Sequence, residues 1–200
     1  YSLYVIFHPF SGFWELKYEK KGNIFSAISI LFLASISYVF MRYYRGFIFS
    51  SLNLRQFNVF TEMLSIIIPL LLWVFVNWGF TTLMEGKGSI RDIFVSSSFA
   101  LVPIILINIP VTILSNYITL EEGTFFYFFI FLGVVWTIAL IFSSTIVIHE
   151  YSLSKTILTI ICIIIGMGTV LFILVVAFML ASQITHFFQD IYNEILYKFM

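Results

Sequence analysis

Apolar runs that contain no formal charge divide the chain into five long stretches. Met63 to Met84 and Ile93 to Leu114 hold 22 residues each, enough to cross a hydrocarbon layer of ~30 Å as helix. The link between them, Thr81 to Asp92, is polar at its centre, which places it outside the lipid. It contains Gly86 and Gly88, which permit a tight reversal, and then Ser89 followed three residues later by Asp92. That capping-box spacing predicts a helix start near Ile90. A helical hairpin with its tip in water is expected.

The other three runs are Ile24 to Met41, Thr124 to Ile148 and Thr156 to Ser182. The first, at 18 residues, is near the minimum for a crossing, and Arg42 and Arg45 stop it. The last two are longer than a crossing needs, so tilt or protrusion is expected. Pro69 falls in the second run and Pro103 and Pro110 in the third. Each removes a backbone hydrogen bond, and kinks are the expected consequence. Thr119 and Glu122 repeat the capping-box spacing and open the fourth span near Leu120.

Outside the runs the pattern becomes amphipathic. In the first 23 residues, Ser11 is placed to cap a short helix, and Phe10, Trp14 and Tyr18 at spacing four give it one aromatic face at the membrane surface. Charges through the second half of this segment, and no apolar core of the signal type, leave the first span to direct insertion. The connection from Arg42 to Glu62 is rich in Phe and Tyr, Phe49 among them, which suits an interfacial belt. After Ser182, Ile184, Phe187, Phe188, Ile191, Ile195 and Phe199 recur at helical spacing with Asp190, Glu194 and Lys198 opposite, which predicts an interfacial end helix. The expected architecture is all-α and polytopic: an interfacial segment (1–23), a five-helix transmembrane domain (24–182) and a C-terminal amphipathic helix (183–200).

Composition sharpens this picture. Of 200 residues, 61% are hydrophobic and only 10% charged, whereas a soluble domain carries about 25% charged residues. The net charge is zero and the ten basic residues are scattered, so a nucleic-acid partner is not expected. With an odd number of spans, Lys17, Lys20, Lys21, Lys87, Arg91 and Lys155 share one side. Arg42, Arg45, Arg55 and Lys198 share the other. Six against four favours a cytoplasmic N-terminus and an outside C-terminus.

Candidate chemistry is sparse. His149-Glu150 opens like a zinc-protease signature, but position 153 is Leu where the second histidine belongs. His8, His149 and His186 fall on different sides, so no metal site is expected. Glu121-Glu122 fits the first turn of a helix, where the dipole favours acidic residues. No cofactor is expected, and no charged residue interrupts any span, which counts against an ion-coupled transporter. The lone Cys162 reads as a small packing residue. With Gly166, Thr169 and Ala177 it forms one small-residue face, for packing first and for self-association second.

Two groups of residues are candidates for partner or helix contact. Glu85, Lys87, Arg91 and Asp92 stand at the hairpin tip. Asn77, Ser97, Pro103 and Asn108 lie inside the spans. Asn77, Ser96–Ser98, Ser26, Ser29, Ser143–Thr145 and Thr159 form a polar ring at the tip end, Asn108 being the chief polar residue of the far half; the first reading is ordinary helix-end polarity, and the second is a bond expected from Asn77 across to Ser96–Ser98.

The order of short motifs adds a family. His8-Pro9-Phe10, Leu16-Lys17-Tyr18-Glu19, the tip Thr81 to Ser89, Ala100-Leu101-Val102-Pro103, Leu120-Glu121-Glu122-Gly123 and His149-Glu150-Tyr151-Ser152 with Lys155 resemble the bacterial branch of the YIP1 family. The resemblance implies five helices with a cytosolic N-terminus, no agreed catalytic residues, and membrane proteins as partners. Sugar-importing ABC transporter subunits lead among these for the bacterial branch. Eukaryotic members carry a long hydrophilic N-terminal region that serves small GTPases; about 23 residues precede the first span here, so GTPase recognition does not transfer. The expected function is a non-enzymatic accessory protein of the cell membrane, associated with lipid and other integral membrane proteins. The alternatives are a small carrier or channel with its site at the proline-broken third span and, for location, a eukaryotic secretory-pathway membrane.

Overall fold

The computed structural model describes residues 1–50 and 57–199, with side chains 193, 195, 196, 198 and 199 outside the description. Arg55 and the side chains of Ile195, Lys198 and Phe199 therefore lie outside the described residues. Eight α-helices account for most of what is described: α1 (Ser2–Phe7), α2 (Pro9–Tyr18), α3 (Ile24–Tyr44), α4 (Val59–Leu83), α5 (Ile90–Phe99), α6 (Val102–Leu114), α7 (Gly123–His149) and α8 (Leu153–Phe199). Five stretches are long and apolar enough to cross a membrane: α3, α4, the α5–α6 pair, α7 and α8.

Local signals fix most helix starts. The Ser89 hydroxyl accepts from the Asp92 N–H while the Asp92 carboxylate accepts from the Ser89 N–H, so α5 begins at Ile90 as its sequence predicts. Asn23 and Ser26 form the same reciprocal pair at α3, which makes Ser26 a cap rather than part of a polar ring. The Glu122 carboxylate accepts from the Thr119 N–H, but α7 itself starts at Gly123.

The prolines act unequally. Pro69 and Pro110 sit inside unbroken α4 and α6. Pro103 accompanies a true break: its ring would meet the carbonyl four residues back, at Phe99, and α5 stops there. Ala100 and Leu101 turn the chain before α6 resumes.

Two expectations are corrected at the N-terminal end. The second helix begins at Pro9, with His8 rather than Ser11 at its cap position, because proline is pre-set for a first helical turn. The segment also packs into the bundle. Val5, Ile6, Phe13 and Leu16 are buried with Ala27, Val95, Phe99 and Leu140 in the largest apolar cluster. The predicted aromatic face of Phe10, Trp14 and Tyr18 remains exposed on the other side. The face that docks was not the face that stands out by its aromatic content.

At the far end, Phe49 is not an interfacial ring. It is buried and stacks on Phe126 with centroids 5.0 Å apart. The backbone N–H of Gly46 donates to Ser115 Oγ at 2.9 Å, and Asn116 Nδ2 donates to the Tyr44 carbonyl at 3.0 Å. Arg42 pairs with Glu62 at 3.2 Å. These contacts tie the end of α3 to the start of α4 and the end of α6.

The last helix differs from expectation as well. Leu153–Phe199 is one helix of 47 residues, roughly 70 Å long at 1.5 Å per residue. No glycine or proline stands between Val170 and Phe199, so nothing at Ser182 separates a span from an interfacial helix. α8 packs along α4 and, near its start, on α7. From Gly168 to Tyr192 every residue except Ser182 is exposed.

Candidate functional site

The densest set of polar contacts between distant segments lies where the hairpin tip, the α7–α8 turn and the end of α2 meet. Glu150 is its centre. Its carboxylate accepts from Lys17 Nζ at 3.0 Å and Lys87 Nζ at 2.6 Å, and from the Tyr18 hydroxyl. These three donors, Lys87 foremost, hold its pKa down at about 2. Lys17 Nζ also donates to the Ile148 carbonyl at 2.9 Å, capping the C-terminus of α7. Glu150 itself has φ 56°, the left-handed conformation that ends α7.

Behind Glu150 the site is closed. His149 is 2% exposed and neither ring nitrogen has a partner among the described residues. It stacks on Tyr151, whose hydroxyl donates to the carbonyls of Met84 (3.1 Å) and Thr81 (3.3 Å). Desolvation by burial, and then the charge of Glu85, raise the Tyr151 pKa and keep this donor protonated. Thr159 Oγ1 reaches Met84 Sδ at 3.4 Å, adding α8 to the same corner.

The tip glycines serve a purpose other than the one their sequence suggests. Neither has positive φ; the left-handed residue of the tip is Glu85, at φ 58°. What Gly86 and Gly88 provide is space. A Cβ on Gly88 would stand 2.5 Å from Ile148 Cγ2 and 2.8 Å from His149 Cε1, and one on Gly86 would stand 2.6 Å from His149 Nδ1. The tip can press on the imidazole only while both positions lack a side chain.

The residues predicted from sequence do not gather in one place. Lys87 joins Glu150; Glu85 is exposed beside Tyr151; Asp92 is occupied with Ser89; Arg91 is exposed. Asn77 is buried, but the expected bond to Ser96–Ser98 does not form. Among the described residues Asn77 Oδ1 and Ser98 Oγ have no partner, and Ser96 Oγ donates to the Ile93 carbonyl in its own helix. A hydroxyl near its own helical carbonyl satisfies itself there before it crosses to a neighbour. Ser97, Pro103 and Asn108 are buried in the third span. Asn108 is not alone in the far half: Ser35, Ser37, Thr112 and Ser115 are buried as well. Ser29 bonds the Phe25 carbonyl and stays half-exposed.

Lys17, Tyr18, His149, Glu150 and Tyr151, which build the corner, were not candidates on chemical grounds. Their signal in the sequence is that Leu16-Lys17-Tyr18-Glu19 and His149-Glu150-Tyr151 are two of the short motifs singled out above; nothing local to either places it against the other.

Among the described residues, no three or more His, Cys, Asp or Glu side chains cluster as a metal site. The model of the Yip1 domain matches residues 3–184. No curated protein and no solved structure matches the chain.

Proposed function

As the chain belongs to the Yip1 domain family, we propose that it is a non-enzymatic integral membrane protein that assembles with other membrane proteins, the membrane subunits of a sugar-importing ABC transporter being the partner. The observation that carries this reading is an open apolar groove of about 520 Å³ between α4 and α8, lined by Phe75, Gly79, Leu83, Ile165 and Thr169 among others. Small residues at such a groove let a further helix approach closely. Gly166 is used already, packed on Val76 and Phe80 of α4, whereas Gly79 has nothing within 4 Å of the place a Cβ would occupy.

That difference gives a clean variant. Gly79→Leu fills the groove from α4 starting from a Cβ that meets open space. Co-expressed with the membrane subunits of a sugar importer and purified in mild detergent, the natural protein is expected to retain them at fixed stoichiometry. Gly79→Leu is expected to lose them on the order of tenfold, equivalent to about 1.4 kcal/mol, with an unchanged melting curve. Recovery of only a second copy of the chain, or equal recovery with the variant, overturns the reading.

A second reading, a small carrier, draws on the break at Ala100–Leu101 and on buried Asn108, whose Nδ2 has no partner among the described residues. Irregular backbone inside a span serves as a solute site when it lines a cavity. Substrate-specific flux in reconstituted vesicles, abolished by Asn108→Leu, would favour it.

The proposed orientation puts the Glu150 corner in the cytoplasm. Ser154 and Tyr117 are exposed at opposite ends of the bundle. In a Cys162→Ser background, Tyr117→Cys is expected to react with an impermeant thiol reagent on intact cells. Ser154→Cys is expected to react only after permeabilisation, and labelling of both on intact cells overturns the orientation.

A further inference from the structure

Beside the Glu150 corner lies a small cavity of about 50 Å³, bounded by the end of α2, the link through Gly22, the first half of α5 and the end of α7. Its apolar lining is Leu16, Val95 and Ile148, and its charged lining is Lys17, Lys20, Arg91 and Asp92. The volume is enough for several water-sized positions, at roughly 10 to 15 Å³ each.

The charges are unequally committed. Lys17 is held by Glu150 and the Ile148 carbonyl, and Asp92 by both donors of Ser89. Lys20 and Arg91 make no ion pair or hydrogen bond among the described residues, although both line the same cavity. The lining therefore carries three cations, Lys20 and Arg91 uncommitted among them, against the single carboxylate of Asp92, whose charge the neutral donors of Ser89 leave in place. α3 and α5 both begin spans at this end, and Trp14 and Tyr18 are exposed nearby, as rings at the headgroup level are.

We propose that this cavity binds a phosphate group, held between Lys20 and Arg91 at the start of α5, with the phosphate of an anionic phospholipid headgroup and a free phosphate as its two sources. Lys17 completes the cationic wall while remaining tied to Glu150, so an occupied cavity would brace the α2–α5–α7 contact. The site stands apart from the α4–α8 groove, and its occupancy does not depend on a protein partner.

The test uses the whole protein, delipidated in a neutral detergent, with thermal stability as readout. Phosphatidylglycerol, phosphatidylcholine, glycerol phosphate and inorganic phosphate are titrated separately. A headgroup site gives saturable stabilisation by phosphatidylglycerol that exceeds phosphatidylcholine, with no response to the soluble phosphates. A free-phosphate site responds to inorganic phosphate. In either case Lys20→Gln with Arg91→Gln is expected to weaken the apparent affinity on the order of tenfold, while the melting temperature without ligand stays unchanged because both side chains are exposed. Lys155→Gln removes a cation over the Tyr151 ring on the same end, outside the cavity, and is expected to change nothing. No saturable response to any of the four, or equal losses in the double variant and Lys155→Gln, overturns the proposal.

Discussion

Gly46→Ala is expected to be the most damaging conservative substitution in the chain. A Cβ at this position would lie 2.1 Å from the carbonyl oxygen of Ser115 and 2.8 Å from its carbonyl carbon. Both are backbone atoms, so no rotamer change relieves the contact, and α3 must move away from α6. The same approach carries the Gly46 N–H to Ser115 Oγ and brings Asn116 to the Tyr44 carbonyl, and both bonds lengthen if the helices part. Overpacking of a rigid contact costs about 3 kcal/mol at the upper end, and the lost bonds about 1 kcal/mol each. Thermal unfolding in detergent should show a large drop for Gly46→Ala and none for Gly79→Ala, where the added methyl meets open space. Equal melting curves for the two would show that α3 and α6 do not meet as closely as described.

That contact illustrates what sequence patterning reaches. Span number, hairpin and cap at Ile90 follow from rules that act within a few residues, and charge-free runs of 22 with a Ser89–Asp92 box leave few alternatives. Gly46 stands in a loop with ordinary φ, and nothing local marks it as a point of closest approach. Its constraint comes from Ser115, 69 positions away. Phe49 is similar: an exposed-looking aromatic in a connection becomes buried because Phe126 offers a stacking face across the bundle.

The candidate site was legible for the same reason only in part. Lys87 and Asp92 were visible as charges at a tip, but a charge does not announce its partner. Glu150 looked like half of an absent metal motif, and Lys17 like a headgroup lysine. Only the docking of α2 against α7 puts them 3.0 Å apart. The hydroxyl residues misled in the opposite direction, since Ser35, Ser96, Thr112 and Thr145 each bond a carbonyl of their own helix. Polar residues at matching depths therefore did not imply bonds between helices. The length of α8 was hidden by a change in pattern after Ser182, from uniformly apolar to amphipathic, which alters the surroundings of a helix without ending it.

Glu150→Gln is expected to loosen the corner and to remove a pH dependence. The carboxylate holds Lys87, Tyr18 and Lys17 together, and those donors bring its folded pKa down to about 2, against about 4.3 for an unrestrained glutamate. A depressed pKa means that the charged form is the one the fold favours. The stabilisation is therefore complete above about pH 5 and is lost as pH falls through 4 toward 2. The amide keeps an acceptor for the Tyr18 hydroxyl but carries no charge for either lysine, so the variant should melt lower at pH 7, and the gap to the natural protein should shrink steadily as pH falls from 5 to 2.5. The Glu15 carboxyl, held below its ordinary value by the hydrogen bond from Lys21, is common to both proteins and cancels in the difference between the two melting temperatures. Lys87→Met should reproduce part of the loss at pH 7, leaving Lys17 and Tyr18 in place. A gap between natural protein and Glu150→Gln that stays constant from pH 7 to pH 2.5, or is absent throughout, would show that the three segments are held by apolar packing around Ile148 and that the ion pairs are incidental.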